Sequence, residues 1–489
     1  MSEYLHGAYG NIQATGTRVS ASSRSAIVYV GTAPVHLTAD ASNVNKPVLV
    51  NNMAEARKLL GYSDEWDKYT LCEAMHVHFE ERGVGPLVMI NVLDPAKHKK
   101  TEGGSVSLTP SGGKITIVNA GDIILSSIKV GEKVPGTDYT ASYNQRKNTV
   151  TIQEMNSGAL GTEALNVTYD IADAAQVDAD CVIGSWDGEG LALGLYAIRN
   201  VYQQTGYIPS FLVAPGFAED PKVHAVMQEV SRKINGHWDA YMMTDIPIVA
   251  DGAAQNLSSA AVWKTQKGYN LENETVSFPL VKGTDGNIYH MSVLRAAALQ
   301  KLLLENDGIP YCTASNTECS IIENLYLGED AKGRVYDDEL INNKLNCNGI
   351  ASAAYVGGRW ALWGAHSADY SDADGDQINV SETNRMMLYY ISNDFQHRRM
   401  GSVDQPLTIN DIRAIVAEEQ ARLDALVKIG ALTYGEVHLD ASADTRSDMV
   451  MGDFVFSFRV TTTPLAKSLT ANVYWVGDGY VTYFDAFAA

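Results

Sequence analysis

The sequence predicts a multidomain protein of mixed α/β and α+β class: an α/β core with an inserted β-sandwich and a C-terminal α+β domain. Three observations lead to this prediction. Short apolar runs alternate with helical patterns on both sides of a turn-rich region of short strands, which is typical of an interrupted α/β layer. The chain has 489 residues, more than one hydrophobic core usually supports. Polar or alternating segments at both ends predict extended terminal arms.

The N-terminal arm comprises residues 1–25, which are rich in Gly, Ser, Thr and Ala. It holds too few apolar residues to form a core of its own, so we expect it to extend from the domain. The first part of the α/β core follows at 26–98. There the run SAIVYVGTAP (25–34) predicts a strand that ends at Gly and Pro, and GPLVMINVLDP (85–95) predicts another after two helical patterns.

Residues 99–177 have a different pattern, with short alternating runs such as GKITIVNA, TDYTASYN and NTVTIQEM between frequent Gly and Pro turns. About six short strands without helical periodicity predict a β-sandwich. The α/β pattern resumes after this segment. The sequence therefore predicts that the sandwich is an insertion into the core.

The second part of the α/β core is predicted at 178–365. An apolar stripe of Leu191, Leu195, Ile198 and Tyr202 predicts an amphipathic helix. The run SFLVAPG then predicts a buried strand that ends in a Pro-Gly turn. Strands and helices continue to alternate to the end of this segment, which supports an α/β fold.

The C-terminal α+β domain is predicted at 366–489. Its helical pattern at 408–430 opens with a capping box, Thr408-x-x-Asp411. The run DMVMGDFVFSFRVTTTP then predicts a strand with alternating aromatic residues, Phe454, Phe456 and Phe458.

Charge and cysteine usage exclude several functions. The formal net charge of −21 makes the chain a poor general binder of nucleic-acid backbones. Its five cysteines are scattered and none forms a CxxC pair, which argues against a disulfide framework or a zinc site and fits a reducing cytoplasm. The N-terminus shows no apolar signal-peptide core, and no run approaches the length of a membrane span.

The motifs in the sequence favour neither catalysis nor the binding of a cofactor. There is no GxSxG elbow, since GSWDG misplaces the serine, and no HExxH helix or P-loop. Asp372, Asp374 and Asp376 occupy the first three positions of a calcium loop, but Gln377 replaces the required glycine and Thr383 stands at position twelve. Weak calcium binding and a solvated acidic loop both remain open.

The C-terminal arm, residues 470–489, predicts two β-rich runs around Gly477-Asp478-Gly479, with large side chains on both faces. A strand without a neighbour leaves backbone groups unpaired, so such a segment should join a sheet. That sheet can belong to its own subunit, or to a neighbour that it enters by β-augmentation. Exchange in the second way is head-to-tail and builds rings or open helices.

Several segments resemble, in order, the tail sheath family of contractile phages and phage-tail-like bacteriocins. HGAYGNI resembles its N-terminal arm, although many members show a Pro-Gly-Val-Tyr-type run there. SAIVYVGTAP, KPVLVNNMAEARKLLGY and EAMHVHFEERGVGPLVMINVLDP resemble its first block. FLVAPG, TDIP, GIPYCTASN and NGIASAAYVGGRWALWGAHSADY resemble its central block, and RRMGSVDQP with the following helix resembles its C-terminal block.

The resemblance implies a structural subunit and not an enzyme. Copies would form hexameric rings stacked helically around an inner tail tube, and the sheath would contract to drive the tube through a target cell envelope. The implied partners are other copies, the tube protein, and baseplate and tail terminator proteins, without nucleic acid or membrane insertion. The implied location is a virion tail or phage-tail-like particle, assembled in the bacterial cytoplasm and released by lysis. The central block implies a subtilisin-like core without catalysis.

The resemblance also implies roles for particular residues. Strand exchange between subunits is expected of the two arms, at Tyr4, Leu5, Tyr9, Ile12, Val473, Tyr474, Trp475, Val476, Val481, Tyr483 and Phe484. The receiving sheet is expected at Phe454, Phe456 and Phe458. The helix at 408–430, with Arg413, Arg422 and Lys428, either faces the tube or packs on the core with solvated charges. A non-contractile β-rich adhesin or capsid-like protein, and a hydrolase with a degenerate motif, are the alternatives.

Overall fold

The computed structural model describes residues 24–249, 252–329, 334–371, 378–440 and 449–488. It has a mixed α/β fold, as the sequence predicts. The strands are β1 Ser25–Gly31, β2 Pro47–Val50, β3 Leu87–Asn91, β4 Gly104–Leu108, β5 Lys114–Val118, β6 Lys129–Val130, β7 Tyr139–Asn144, β8 Thr149–Glu154, β9 Leu165–Tyr169, β10 Ile208–Val213, β11 Tyr241–Asp245, β12 Glu274–Ser277, β13 Leu280–Gly283, β14 Ile288–Tyr289, β15 Ile322–Tyr326, β16 Ile350–Val356, β17 Arg359–Trp363, β18 Leu432–Leu439 and β19 Phe456–Thr462. The α-helices are α1 Met53–Leu60, α2 Thr70–Met75, α3 Ala179–Ile183, α4 Val201–Thr205, α5 Pro221–Val230, α6 Leu257–Lys267, α7 Met291–Glu305, α8 Asp338–Lys344, α9 Glu382–Arg399, α10 Ile409–Lys428 and α11 Gly479–Ala488.

The core is an eight-stranded sheet in the order β17-β16-β12-β11-β10-β1-β3-β2. Its six inner strands pair in parallel, and the edge strands β17 and β2 pair antiparallel to their neighbours. Parallel strands are covered on both faces and therefore read as continuous apolar runs. This explains β1, SAIVYVG, in which every residue after Ser25 is buried.

The segment predicted as an inserted sandwich contains β4–β9 in two three-stranded antiparallel sheets, β4-β9-β6 and β5-β8-β7. Their inward side chains form an apolar cluster separate from that of the core, with Ile115, Ile152 and Val167 among its members. Contacts with the core include a hydrogen bond between His36 Nε2 and the Gly121 carbonyl oxygen at 3.0 Å. Burial lowers the pKa of His36 to about 4. The domain boundaries at 99 and 177 remain a prediction.

The helix predicted from the stripe at Leu191 begins later in the structure. Residues 194–200 form a 3-10 helix that continues into α4. Ala192 instead forms an antiparallel bridge with Trp186, and Leu193 donates its N–H to the Ser185 carbonyl. Leu191 and its neighbours thus belong to a hairpin. The helix predicted from the stripe therefore begins too early in the sequence.

The C-terminal region is attached to the core through α9. Glu382, in its first turn, is buried and accepts hydrogen bonds from Arg295 of α7, at 3.0 Å to each carboxylate oxygen. Asn393, further along α9, donates to the Asp239 carbonyl at 2.8 Å. The capping box predicted for α10 is present, because the Thr408 and Asp411 side chains each bond the other residue's backbone N–H. The chain then passes into β18 and β19.

Candidate functional site

The predicted receiving segment forms a two-stranded antiparallel sheet, which we call the ribbon: β18 paired with β19. In its register Val437 lies opposite Phe458 and Gly435 lies opposite Val460. Of the predicted residues, Phe456 and Phe458 lie in β19, whereas Phe454 precedes it. This placement does not test their role as a receiving sheet, which remains a prediction.

The inner face of the ribbon packs against α9. Phe456 and Phe458 contact the ring of Phe395, with centroid distances of 5.7 and 5.3 Å. Because Arg459 and Thr461, on the opposite face, are exposed, the alternation seen in the sequence separates a packed face from a solvent face.

Helix α10 lies against β18. The amide group of Gln420 accepts a hydrogen bond from the Val437 N–H at 3.0 Å and donates one to the Gly435 carbonyl at 2.9 Å. A Cβ atom on Gly435 would lie 2.9 Å from Leu423 Cβ, so a glycine is required for this close approach. The helix therefore holds β18 through both backbone hydrogen bonds and packing.

A buried ionic network joins α10 to α9. The carboxylate of Glu419, whose side chain is 1% exposed, accepts hydrogen bonds from the guanidinium groups of Arg398 and Arg399. Asp394 accepts one from Arg398 Nε at 2.9 Å and one from Arg422 Nη1 at 3.4 Å. Burial alone would raise the pKa of Glu419, but the two arginines lower it below its usual value. The network fixes the orientation of α10, and hence of the ribbon, relative to the core.

This network was not predicted from the sequence. Its signal was the paired arginines at 398–399 together with the paired glutamates at 418–419, two oppositely charged doublets on neighbouring helices. Charged residues are rarely buried unless they are paired, and sequence alone did not indicate that these helices pack together.

The three cations proposed to face the tube do not share one direction. Arg413 and Lys428 are exposed, whereas Arg422 is partly buried and directed at Asp394 of α9. Arg413 and Arg422 are nine positions apart, which places them on opposite sides of a helix with 3.6 residues per turn. At most Arg413 and Lys428 are therefore available to a partner on the exposed side of α10.

The tail after β19 has no ladder partner among the described residues. Residues 463–476 belong to no helix or sheet. The four predicted arm residues within it are strongly exposed: Val473 at 90%, Tyr474 and Trp475 at 80% and Val476 at 67%. Lys467 Nζ lies 2.8 Å from the Tyr370 hydroxyl. After β19 the tail therefore runs toward the core and does not turn back along β19.

The second β-rich run of the tail is a helix in the structure. Residues Val481, Tyr483 and Phe484 lie in α11 and are exposed, so the strand predicted there is corrected. A helix satisfies its hydrogen bonds within one segment, whereas a strand requires a neighbour. Among the described residues, no strand pairs with this segment.

Two other predicted sites lie outside the described residues. These are the arm residues Tyr4, Leu5, Tyr9 and Ile12, and the acidic loop with Asp372, Asp374 and Asp376.

A second titratable cluster lies at the carboxyl ends of the core strands. His290 Nδ1 is 2.6 Å from Glu73 Oε2, and His290 Nε2 is 3.9 Å from Glu219 Oε1. Ser292 donates its hydroxyl to Asp245 and not to His290, so the cluster lacks the nucleophile–base pair of a hydrolase. Among the described residues no group of His, Cys, Asp and Glu side chains is placed to hold a metal ion.

A helix must be both long and apolar to span a membrane. Over the described ranges, none combines the length and apolar character needed to cross a bilayer.

Comparison with known proteins gives a consistent result. No family model matches the chain. The tail sheath protein of Burkholderia phage BcepMu is 24% identical over 497 aligned residues, covering 96% of each chain. The major tail sheath protein of Serratia phage KSP20 is 20% identical, covering 61% of this chain and 71% of its own. The helical sheath of the anti-feeding prophage in its contracted state matches with a TM-score of 0.56 at 12% identity, covering 97% of this chain and 99% of the other.

The structural match shows that the fold is that of sheath proteins from contractile particles. The match to the sheath protein of phage BcepMu runs nearly end to end, so the chain is similar to a phage tail sheath protein over almost its whole length. The resemblance stated from the sequence is thereby confirmed.

Proposed function

We propose that this chain is a structural subunit of a contractile tail sheath and not an enzyme. The observation that carries the proposal is the match to a tail sheath protein over 96% of both chains. A match of that extent includes the C-terminal region as well as the core. The likeness to a sheath in its contracted state adds support at the level of the fold.

The assembly we propose is a helical stack of hexameric rings around an inner tail tube. Each tail would leave its subunit and complete the ribbon of a neighbour, and the N-terminal arm would make a second such link. These contacts are head-to-tail and can continue along a helix. The large exposed side chains of the tail support this role, because apolar surface of that extent usually marks an interaction site.

Contraction would be a rigid-body rearrangement of subunits that stay linked by their arms. Burial of additional apolar surface between subunits would supply the driving force. The network around Glu419 supports rigid-body motion, because it ties the ribbon to the core through paired buried charges.

The inner tube would meet the exposed side of α10, where Arg413 and Lys428 lie. The inserted β-sheets would lie on the outside, away from the tube. Baseplate and tail terminator proteins would bind the two ends of the stack. The particle would assemble in the bacterial cytoplasm and leave by lysis, as part of a virion tail or a phage-tail-like particle.

Electron microscopy of the purified chain tests the proposal. We expect tubes or polysheaths at high protein concentration, and a truncation that removes residues 470–489 should give soluble, folded subunits without polymers. Circular dichroism and the melting temperature of the truncated chain provide the control for folding. A full-length chain that stays monomeric at all concentrations would contradict the proposal, and so would a truncation that unfolds the core.

A further inference from the structure

The core sheet has a topological switch point between its parallel neighbours β1 and β10. After β1 the chain continues to β2 and β3 on one side of the sheet, and after β10 it continues to β11 and β12 on the other side. Connections that leave in opposite directions open a crevice beyond the carboxyl ends of the two strands. In this chain the crevice is covered by the loop at 214–220, which connects β10 to α5.

The loop lies directly on residues from both sides of the crevice. A Cβ atom on Gly216 would lie 3.4 Å from Thr70 Cγ2 of α2 and 3.7 Å from Nε2 of His290, which immediately precedes α7. Gly216 has a φ of +74°, in the left-handed region that favours glycine. Tyr269 donates its hydroxyl to the Ala218 carbonyl at 2.8 Å. The loop is therefore held closed at both ends of its turn.

Beneath the loop, three carboxylates surround one imidazole ring. Glu73 accepts from the His290 backbone N–H at 2.6 Å, and its second carboxylate oxygen lies 2.6 Å from His290 Nδ1. Asp245 accepts from the backbone N–H and the hydroxyl of Ser292. Glu219, in the loop, has only an ionic contact of 3.9 Å with His290 Nε2. Among the described residues, Glu219 is thus the member of this cluster whose carboxylate accepts no hydrogen bond.

The charges of the cluster do not balance when every carboxyl group is ionised. The titratable groups that face Glu219 from the surrounding elements are His290 at the start of α7, Asp245 at the end of β11, Glu73 of α2 and Tyr269 after α6. Although burial lowers it, the carboxylates raise the pKa of His290 to about 10, so the ring is charged. Ionised Glu219 would place three negative charges around one positive charge, whereas neutral Glu219 removes one of the three.

We propose that Glu219 is a proton-dependent latch for this loop. With its carboxyl group protonated, Glu219 stays under the loop and the crevice is closed; with the group ionised, an open loop that carries Glu219 into water becomes favourable. Glu73 precedes β4–β9 in the chain and Glu219 follows them, so the latch joins two segments of the core that are distant in sequence. The inference concerns a single subunit and goes beyond the proposed sheath function.

The direction of the pH dependence follows from the environment of Glu219. Burial raises its pKa from 4.5 to about 7, because the opposing effect of the His290 charge is smaller than the cost of desolvation. The closed loop therefore has its full stability below pH 4.5 and loses it as the pH rises toward 7. Over this range the ratio of open to closed loops should increase on the order of 100-fold, and above pH 7 it should level off.

Hydrogen exchange of the dilute full-length chain between pH 5 and 8.5 tests the inference, read at single residues by mass spectrometry with electron-transfer fragmentation. The reporters are the amides of Phe217, Ala218 and Asp220, whose hydrogen bonds within the loop span Gly216 and Glu219. Each rate is divided by the rate of an unstructured peptide at the same pH, so that base catalysis of exchange cancels. We expect the protection of these amides to fall by roughly 50-fold between pH 5 and 8, as for a local opening.

Three variants identify the group responsible. Glu219→Gln has no carboxyl group to ionise, so the protection of the loop should stay constant with pH. Glu229→Gln removes an exposed carboxylate of α5 and should keep the wild-type dependence. His290→Gln removes the cation that lowers the pKa of Glu219, so the fall in protection should continue to a higher pH than in the wild type.

The outcomes separate the latch from the sheath function. Protection that is independent of pH in the wild-type chain would overturn the latch, and so would an equal pH dependence in Glu219→Gln. Exchange in the wild-type chain decides the question should a variant fail to fold. Neither result bears on polymer formation, which electron microscopy tests separately.

Discussion

The central sheet and the ribbon differ in how many neighbouring strands their strands have. β1 has parallel neighbours on both sides, β10 and β3, and is buried on both faces. β19 has one neighbour, β18, and its other edge is open among the described residues. The first arrangement has strands on both sides, whereas the second has a strand on one side only among the described residues. In the assembly proposed above, the core supplies the stability of the subunit and the C-terminal region supplies the links between subunits.

The largest expected effect comes from breaking the core at its buried ion pair. Arg295 is fully buried and bonds both carboxylate oxygens of Glu382, so Arg295→Ala leaves an uncompensated carboxylate in the interior. Removing one partner of such a pair costs about 3–5 kcal/mol. Urea denaturation should show a loss of this size in the free energy of unfolding.

The matched control is Arg232→Ala. Arg232 pairs with Glu272 at 3.3 Å on the surface, where both side chains are partly exposed. Exposed pairs contribute only about 0–1 kcal/mol. Equal losses for the two variants would show that the pair in the core has no special role in fixing α9 to the sheet.

The sequence was most informative where local pattern and final burial coincide. The run at 25–34 predicted β1 because a strand covered on both faces must be apolar throughout. The capping box at Thr408 predicted the start of α10, since its hydrogen bonds involve only neighbouring residues.

The rest depends on contacts between distant residues. The network of Glu419 with Arg398 and Arg399 exists only because α9 and α10 pack together. The aromatic run at 480–484 suits a strand or a helix, and the structure has a helix there. The hydrogen bonds between the Gln420 side chain and the backbone of β18 depend on how α10 packs on this strand, so the sequence could not predict them.

An effect of intermediate size is expected at the histidine cluster of the core. Burial lowers the pKa of His290, but the nearby carboxylates of Glu73, Asp245 and Glu219 outweigh it and raise the pKa to about 10. The folded state therefore holds this proton more tightly than the unfolded state, where the pKa is about 6.5. The stabilisation is complete below pH 6.5 and is lost as the pH rises toward 10.

His290→Gln tests this dependence. The difference in unfolding free energy between wild type and variant should shrink by roughly 2–4 kcal/mol between pH 6.5 and 10. His237→Gln, at an exposed position, serves as the control for the substitution of a histidine by glutamine. A wild-type advantage that stays constant over this range would contradict the assigned charge on His290. Burial also raises the pKa of Glu219 to about 7, so only the change in this difference at pH values well above 7 reports on His290 alone.

The smallest expected effect on stability comes from a substitution in the tail. It is the most direct test of the difference between the core and the C-terminal region. Trp475 is 80% exposed, whereas Trp238 in the core is 1% exposed. Trp475→Ser removes little buried surface, so the unfolding free energy of the dilute chain should change by less than about 0.5 kcal/mol. Trp238→Ala, by contrast, should cost about 3–5 kcal/mol because it leaves a cavity. Polymer formation should respond differently from stability. In sedimentation at high protein concentration, Trp475→Ser should reduce the amount of polymer, although it leaves the stability of the dilute chain nearly unchanged. A Trp475→Ser chain that loses stability as a monomer would mean that the tail belongs to its own subunit.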